Sequence, residues 1–341
     1  MTTMDTHAKG RTAFEVLAWS RDFVTPALRA ATDRLPPSIR PIVGYHFGWQ
    51  DEYGENTAGD GGKLLRPALV LLSAQCVGAD PADAVDAAAA VEFVHNFSLL
   101  HDDVMDGDVT RRHRPTAWTV FGAGTAILTG DALLTSALET LAETPQAMRV
   151  LSAAVTALVD GQIADVTFEK RADVELGECV RMASGKTGAL LGASCELGAL
   201  LGGGTPEQVG LLGSFGRNLG LAFQHVDDLL GIWGDTTVTG KPIYSDLQNR
   251  KKSLPVVAAL TSGTEAGEEL TVLYEREEDL SDRELVRAAE LIDVAGARAW
   301  SRLQADELLV RALNDLLAAS PSPVPASELG ALAKLATHRD H

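Results

Sequence analysis

The chain has 341 residues and a formal net charge of −18, with 45% hydrophobic and 22% charged residues. This is the composition of a globular protein with room for a large core, and it excludes a disordered chain. The acidic balance argues against a nucleic-acid partner, which would need a basic footprint.

The N-terminus, "MTTMDTHAKGRTAFEVLAWS", lacks the basic-then-apolar design of a leader, and no run approaches 18 uninterrupted apolar residues. No membrane span is expected. A first helix is predicted over residues 12–35, stopped by Pro36-Pro37, and is followed by a Gly-, Asp- and Glu-rich loop closing on Gly61-Gly62-Lys63. Helical patterns then cover 64–76, 83–106, 130–143, 145–171, 176–201, 205–230 and 253–260. Residues 265–318 read as several amphipathic helices, "SPSPVP" breaks the pattern, and a short helix closes it near 326–336. No stretch alternates with period two, no linker divides the chain, and no repeat recurs. One all-α domain over residues 1–341 is expected, with 1–11 and about 319–341 as loose ends. The three cysteines, Cys76, Cys179 and Cys195, have no metal-ligand spacing and sit among small or apolar residues, as reduced thiols of a cytoplasmic protein would.

Polar chemistry gathers at the ends of two apolar helices. In "HNFSLLHDDVMDGDVTRRHRP", with Asp102 at the origin, a turn of about 100° per residue puts Asp106 near 40°, His95 near 20° and Ser98 near −40°. One narrow stripe thus carries four polar groups on an otherwise apolar helix. Carboxylates one turn apart repel, more so when desolvated, so a cation is required. Oxygen-only ligands suit Mg²⁺, which shares itself with phosphate oxygens. The second end, "FQHVDDLLGIWGD", places Gln224 within about 60° of Asp227 and turns His225 to about 160°, into the packing. Two such ends facing one another would hold Mg²⁺ around a diphosphate. Lys63, Arg66, Arg111, Arg112, Lys186 and Lys241 are the candidate counter-charges.

Seven segments, in this order and spacing, carry a family resemblance: "GGKLLRP", "HNFSLLHDDVMDGDVTRRHRPT", "GDALL", "GQIADVTFE", "KTGALL", "FQHVDDLLGIWGD" and "TGKPIYSDLQNRKKSLP". The chain resembles the trans-isoprenyl diphosphate synthases (polyprenyl synthetases). The resemblance implies an all-α bundle around a deep cavity, usually a homodimer, using about three Mg²⁺ ions per site. It implies that Asp102, Asp106 and Asp227 bind metal. By the same likeness Arg111, Lys186, Thr187, Gln224 and Lys241 meet the allylic diphosphate, and Lys63, Arg66, His95 and Arg112 the isopentenyl diphosphate. Asp102, Asp106, Asp227, Lys186 and Lys241 carry the catalytic roles.

The second acidic motif departs from the family's usual DDxxD, because its last position is Gly231, with Asp235 a distant candidate substitute. Chain length in the family depends on side chains ahead of the first motif. Bulky Phe97 beside small Ser98 resembles synthases that make geranylgeranyl diphosphate, with farnesyl diphosphate the nearest alternative. A cyclase of the same fold would not need Lys63, Arg66, His95 and Arg112. A non-catalytic regulatory subunit would not need Asp102, Asp103, Asp106, Asp227 and Asp228.

Overall fold

Thr12 starts the first helix, α1 (Ala13–Asp33): its hydroxyl accepts from the Glu15 N–H, and the Glu15 carboxylate accepts from the Thr12 N–H. The computed structural model describes residues 10–57, 62–235, 243–276 and 278–338. By internal contacts the chain forms two compact units. One comprises Met1–Ser152, Ala193–Ser214 and Leu313–Leu335; the other comprises Ala153–Gly192, Phe215–Ala312 and Ala336–His341.

In the first unit, α2 (Arg40–His46), α3 (Leu65–Cys76), α4 (Val85–Met105), α5 (Ala117–Phe121) and α6 (Ala123–Thr140) follow α1. Small residues let these helices approach closely. Ala87 to Ala90 on α4 and Leu69 to Leu72 on α3 are fully buried, and α6 packs along α4. The predicted start of α6 at 130 is seven residues late, because Gly122, at φ 88, turns the chain directly into the helix. The helix at 40–46 was not foreseen. Its Pro41 lies in the first turn, where a missing N–H is tolerated.

Between α4 and α5 the helical pattern gives way to a hairpin, β1 (Thr110–Arg111) with β2 (Arg114–Pro115), in which Arg111 lies opposite Arg114. Its two turn residues, Arg112 and His113, have φ of 51° and 60°. Such a turn normally takes Asn-Gly, so this one stores backbone strain that neighbouring contacts must hold. Arg114 supplies them, donating to the carbonyls of Tyr45 (3.2 Å) and Gln50 (3.1 Å), while the Tyr45 hydroxyl donates to Pro115 O at 2.8 Å.

α7 (Pro145–Phe168) begins in the first unit and ends in the second. It is long and apolar enough to cross a bilayer by length and composition alone, although Arg149 and Asp160 interrupt its apolar run. It carries Asp160, Gln162 and Asp165, and Asp165 is ion-paired within the protein. The region read as one helix over 176–201 is α8 (Leu176–Ala183), a π-helical turn (Ser184–Gly188) and α9 (Ala189–Leu201). α10 (Pro206–Trp233), α11 (Ser245–Gln248), α12 (Leu254–Leu260), α13 (Glu265–Tyr274), α14 (Asp282–Val294), α15 (Ala297–Ala318) and α16 (Pro323–Thr337) complete the order. In the second unit Ile232, Leu270, Leu285 and Ile292 anchor one buried cluster, and Phe168, Cys179, Leu254 and Val257 another. All three cysteines are buried, and none forms a disulfide. Within the C-terminal stretch, α16 is packed. Leu329, Leu332 and Ala333 of α16 are buried, and Glu328 accepts from Arg11 at 2.6 Å.

Candidate active site

The first acidic pair is sorted by burial. Asp102 is half-buried and Asp106 exposed at the end of α4, but Asp103 is 1% exposed. Arg111 clamps Asp103, its Nε and Nη2 lying 2.7 and 2.6 Å from the same Oδ1. Burial works most strongly against the Arg111 charge, but the bond to Asp103 and the charges of Asp103, Asp108 and Asp102 together outweigh it and raise the guanidinium pKa. Arg111 is thereby tied to the helix end as well as to the hairpin. On the same helix the Ser98 hydroxyl donates to His95 O at 2.8 Å. Phe97 is buried, its ring set edge-on to His101 at 4.8 Å.

Around this end lies a concentration of positive charge. Arg112, lifted by its left-handed backbone, packs its guanidinium over Gly62, where an added Cβ would stand 2.6 Å from Nη2. A cavity of about 140 Å³ is lined by His46, Arg111, Arg112 and Arg114. His95 has a pKa well below its usual value, first by burial and then by Arg66, Arg112 and Arg111. His46 is lowered to about 3 by burial and by Arg112 and Arg111. Burial lowers Arg66 to about 10, with Glu92 acting the other way. Lys63 is exposed, one residue before Leu64, whose φ of 50° opens α3. Arginines beside neutral imidazoles, which can donate without adding charge, make an anion pocket.

The second unit holds its own set of polar groups. Lys186 and Thr187 sit in the π turn, a feature that re-aims side chains within a helix. Lys186 Nζ lies 2.6 Å from Asp165 Oδ2. Burial would raise the Asp165 pKa, but Lys186 and Lys251 together hold it below the ordinary value. The Thr187 hydroxyl donates to Gln224 Oε1, Gln224 Nε2 donates to Asp228 Oδ1 at 2.6 Å, and Asp228 Oδ2 accepts from the Leu254 N–H at 2.8 Å. Burial raises the Asp228 pKa to about 7, and Asp246 adds to the rise. Asp227 is exposed. The sorting of the first motif is repeated: the leading aspartate faces out and the second is buried and bonded. His225 points inward as its helical angle implies, 2% exposed with Nδ1 2.8 Å from Ser301 Oγ.

Glycines set these positions. Gly216 and Gly220 of α10 cross Gly188 and Gly192, and a Cβ on Gly220 would meet Gly188 Cα at 2.7 Å and Thr187 O at 3.3 Å. Gly231, at the departing position of the second motif, has a different neighbour. A Cβ there would stand 2.2 Å from Asp246 Oδ2, so the Asp246 carboxylate fills the space of the missing side chain. Asp235 lies beyond the end of α10. Lys241 lies outside the described residues.

The donor chemistry fits Mg²⁺. Among the described residues no three carboxylate, imidazole or thiol ligands converge as an all-protein cage would. Mg²⁺ takes one or two carboxylates and completes its shell with water and phosphate, which Asp102 with Asp106, and Asp227, can provide. Sequence reasoning assigned no role to His46, Glu92, Asp165 or Asp246. Asp165 and Asp246 lay within segments that carry the family resemblance, whereas Glu92 was hidden in an alanine run.

The sequence pattern of the polyprenyl synthetase family matches residues 48–292. The chain is 46% identical over 337 residues to a (2E,6E)-farnesyl diphosphate synthase of Mycobacterium tuberculosis, covering 96% of this chain and 94% of that one. It is 44% identical over 321 residues to a geranylgeranyl diphosphate synthase of the same organism, covering 92% and 91%. A polyprenyl synthetase from Streptomyces coelicolor A3(2), known from its crystal structure, superposes with a TM-score of 0.89 at 46% identity, over 94% of this chain and 98% of that one.

Proposed function

The chain belongs to the polyprenyl synthetase family and is a prenyltransferase, and we propose that it condenses isopentenyl diphosphate head-to-tail with allylic diphosphates, releasing diphosphate. The observation that carries this reading is the repeated sorting of the two aspartate pairs beside two separate sets of cations. A protein that ionised a single diphosphate would have no use for Lys63, Arg66, His95 and Arg112.

Asp102, Asp106 and Asp227 would hold Mg²⁺, which supplies Lewis-acid neutralisation of charge on the departing diphosphate. Lys186 is held by Asp165, and Thr187 and Gln224 are joined by a hydrogen bond, so these groups are pre-arranged for the allylic diphosphate. Arg111 and Lys241 complete that set in this reading. As the allylic C1–O bond breaks, charge grows on oxygens facing fixed donors. The double bond of isopentenyl diphosphate attacks C1, forming the new C–C bond, and the resulting cation loses a proton. His95 and His46 have depressed proton affinities and are poor bases. The released diphosphate takes the proton.

Geranylgeranyl diphosphate is the product this reading favours, with Phe97 and Ser98 setting its length; farnesyl diphosphate is the alternative. The protein acts as a cytoplasmic homodimer in the same reading. Exposed Leu128 on α6 and exposed Ile163 on α7 give apolar surface that a second copy would cover. Steady-state kinetics with each substrate varied in turn test the proposal. Asp102→Ala should abolish turnover, and Arg112→Ala should raise the KM for isopentenyl diphosphate alone. A cyclised or unelongated product would overturn it.

A further inference from the structure

His101 stands immediately before Asp102 yet faces away from the acidic stripe, about 100° around α4. Its Nε2 donates to the Ile127 carbonyl of α6 at 2.9 Å, and Asp131 Oδ1 lies 3.6 Å from the same nitrogen. The imidazole is thereby docked on α6 and turned from Asp102 and Asp106. A glycine makes the room for it. A Cβ on Gly130 would stand 2.5 Å from both Cδ2 and Nε2 of His101 and 3.4 Å from Phe97 O, so a larger residue there would expel the ring. Seated in this notch, the imidazole lies edge-on to the Phe97 ring, with centroids 4.8 Å apart and planes at 69°. Aromatic pairs favour that arrangement. The two residues are one turn apart on α4, where side chains meet along a helix.

We propose that His101, held in the Gly130 notch, is a positioning residue for product length, acting through the Phe97 ring. Phe97 is 7% exposed and lies about 140° around α4 from Asp102, so its effect on a growing chain depends on where its ring is held. The bond to Ile127 O fixes the plane of the imidazole, and that plane supplies the surface on which Phe97 packs. A contact made on α6 thus sets a rotamer on α4. Without the imidazole, the Phe97 ring is free to turn into the vacated notch, and the space beside Ser98 deepens. His101 itself meets no diphosphate in this arrangement and takes no part in bond breaking.

The inference rests on the reading of Phe97 as a length-setting residue, and Phe97→Ala assayed alongside separates the two. Purified variants are given Mg²⁺, labelled isopentenyl diphosphate and a short allylic starter, and the products are sized. In His101→Ala the share of product longer than that of wild type should rise by about tenfold, the discrimination that one contact in an apolar pocket supplies. The KM of each substrate should change less than about twofold, because the diphosphate contacts are untouched. Gly130→Ala, whose methyl group displaces the imidazole from the other helix, should shift the product in the same direction, and it carries the test should His101→Ala not fold. Adding His101→Ala to Phe97→Ala should lengthen the product no further than Phe97→Ala does, because His101 acts only through that ring. Wild-type product from both His101→Ala and Gly130→Ala, while Phe97→Ala lengthens it, overturns the inference, as does further lengthening in the double variant. An unchanged product in Phe97→Ala overturns the reading of Phe97 and the inference with it. Wild-type protein that elongates no starter overturns the functional reading and, with it, both.

Discussion

Gly220→Ala adds one methyl group where α10 crosses the end of the π turn. The new Cβ would stand 2.7 Å from Gly188 Cα and 3.3 Å from Thr187 O, both backbone atoms that cannot swing aside. Carbon atoms rest about 3.5–4.0 Å apart, so the helices must part by roughly 1 Å. Overpacking of this kind costs about 1–3 kcal/mol, and better helix propensity returns roughly 1 kcal/mol, leaving a net loss of about 0–2 kcal/mol. The functional effect should exceed that, because the displacement falls on the Thr187–Gln224 bond. The allylic KM should rise by about tenfold, equal to roughly 1.4 kcal/mol, while the isopentenyl diphosphate KM stays put. Gly210→Ala is the control on the same helix. Nothing lies within 4 Å of its added Cβ, so stability should rise by up to about 1 kcal/mol with unchanged kinetics. Gly220→Ala protein with wild-type stability and allylic KM would refute the close-crossing argument, as would an equal kinetic loss in Gly210→Ala.

Phe97→Ala should lengthen the product and cost about 3–5 kcal/mol in denaturant unfolding, as for a buried aromatic; an unchanged product would place the cavity floor elsewhere. Asp246→Ala should raise the Mg²⁺ concentration for half-maximal activity. Adding Gly231→Asp to that variant should restore it, because the two side chains claim one space; no restoration would limit Asp246 to a structural part. Acid should destabilise the fold through His225, lowered to about 4 by burial. The unfolded chain then binds the extra proton, so stability is complete above about pH 6.5 and falls toward pH 4 by up to about 1.4 kcal/mol per pH unit. Unfolding curves at several pH values should show this fall, shallower in His225→Gln; identical slopes in both proteins would reject the assignment.

The helical geometry of α4 and α10 was legible because an apolar helix with a narrow polar stripe leaves few orientations open. The inward turn of His225, about 160° from Asp227, follows from angle alone. The π turn that carries Lys186 was not legible, since α8 and α9 share one helical pattern and the insertion is imposed by packing at Gly161 and Gly185, whose added Cβ atoms would strike backbone. The hairpin escaped notice for a related reason. Arg112 and His113 give no glycine signal for their left-handed turn, which contacts from Arg114 maintain. Glu92 and Asp246 were missed because one sits in an apolar run and the other lies on the short helix α11, after the acidic motif whose space it fills.

The most direct measurement is product sizing. Purified protein is incubated with Mg²⁺, labelled isopentenyl diphosphate, and dimethylallyl, geranyl or farnesyl diphosphate in turn. The account expects chain growth from these starters, ending at geranylgeranyl diphosphate, and none when Mg²⁺ is chelated. No incorporation of label with any starter would contradict it.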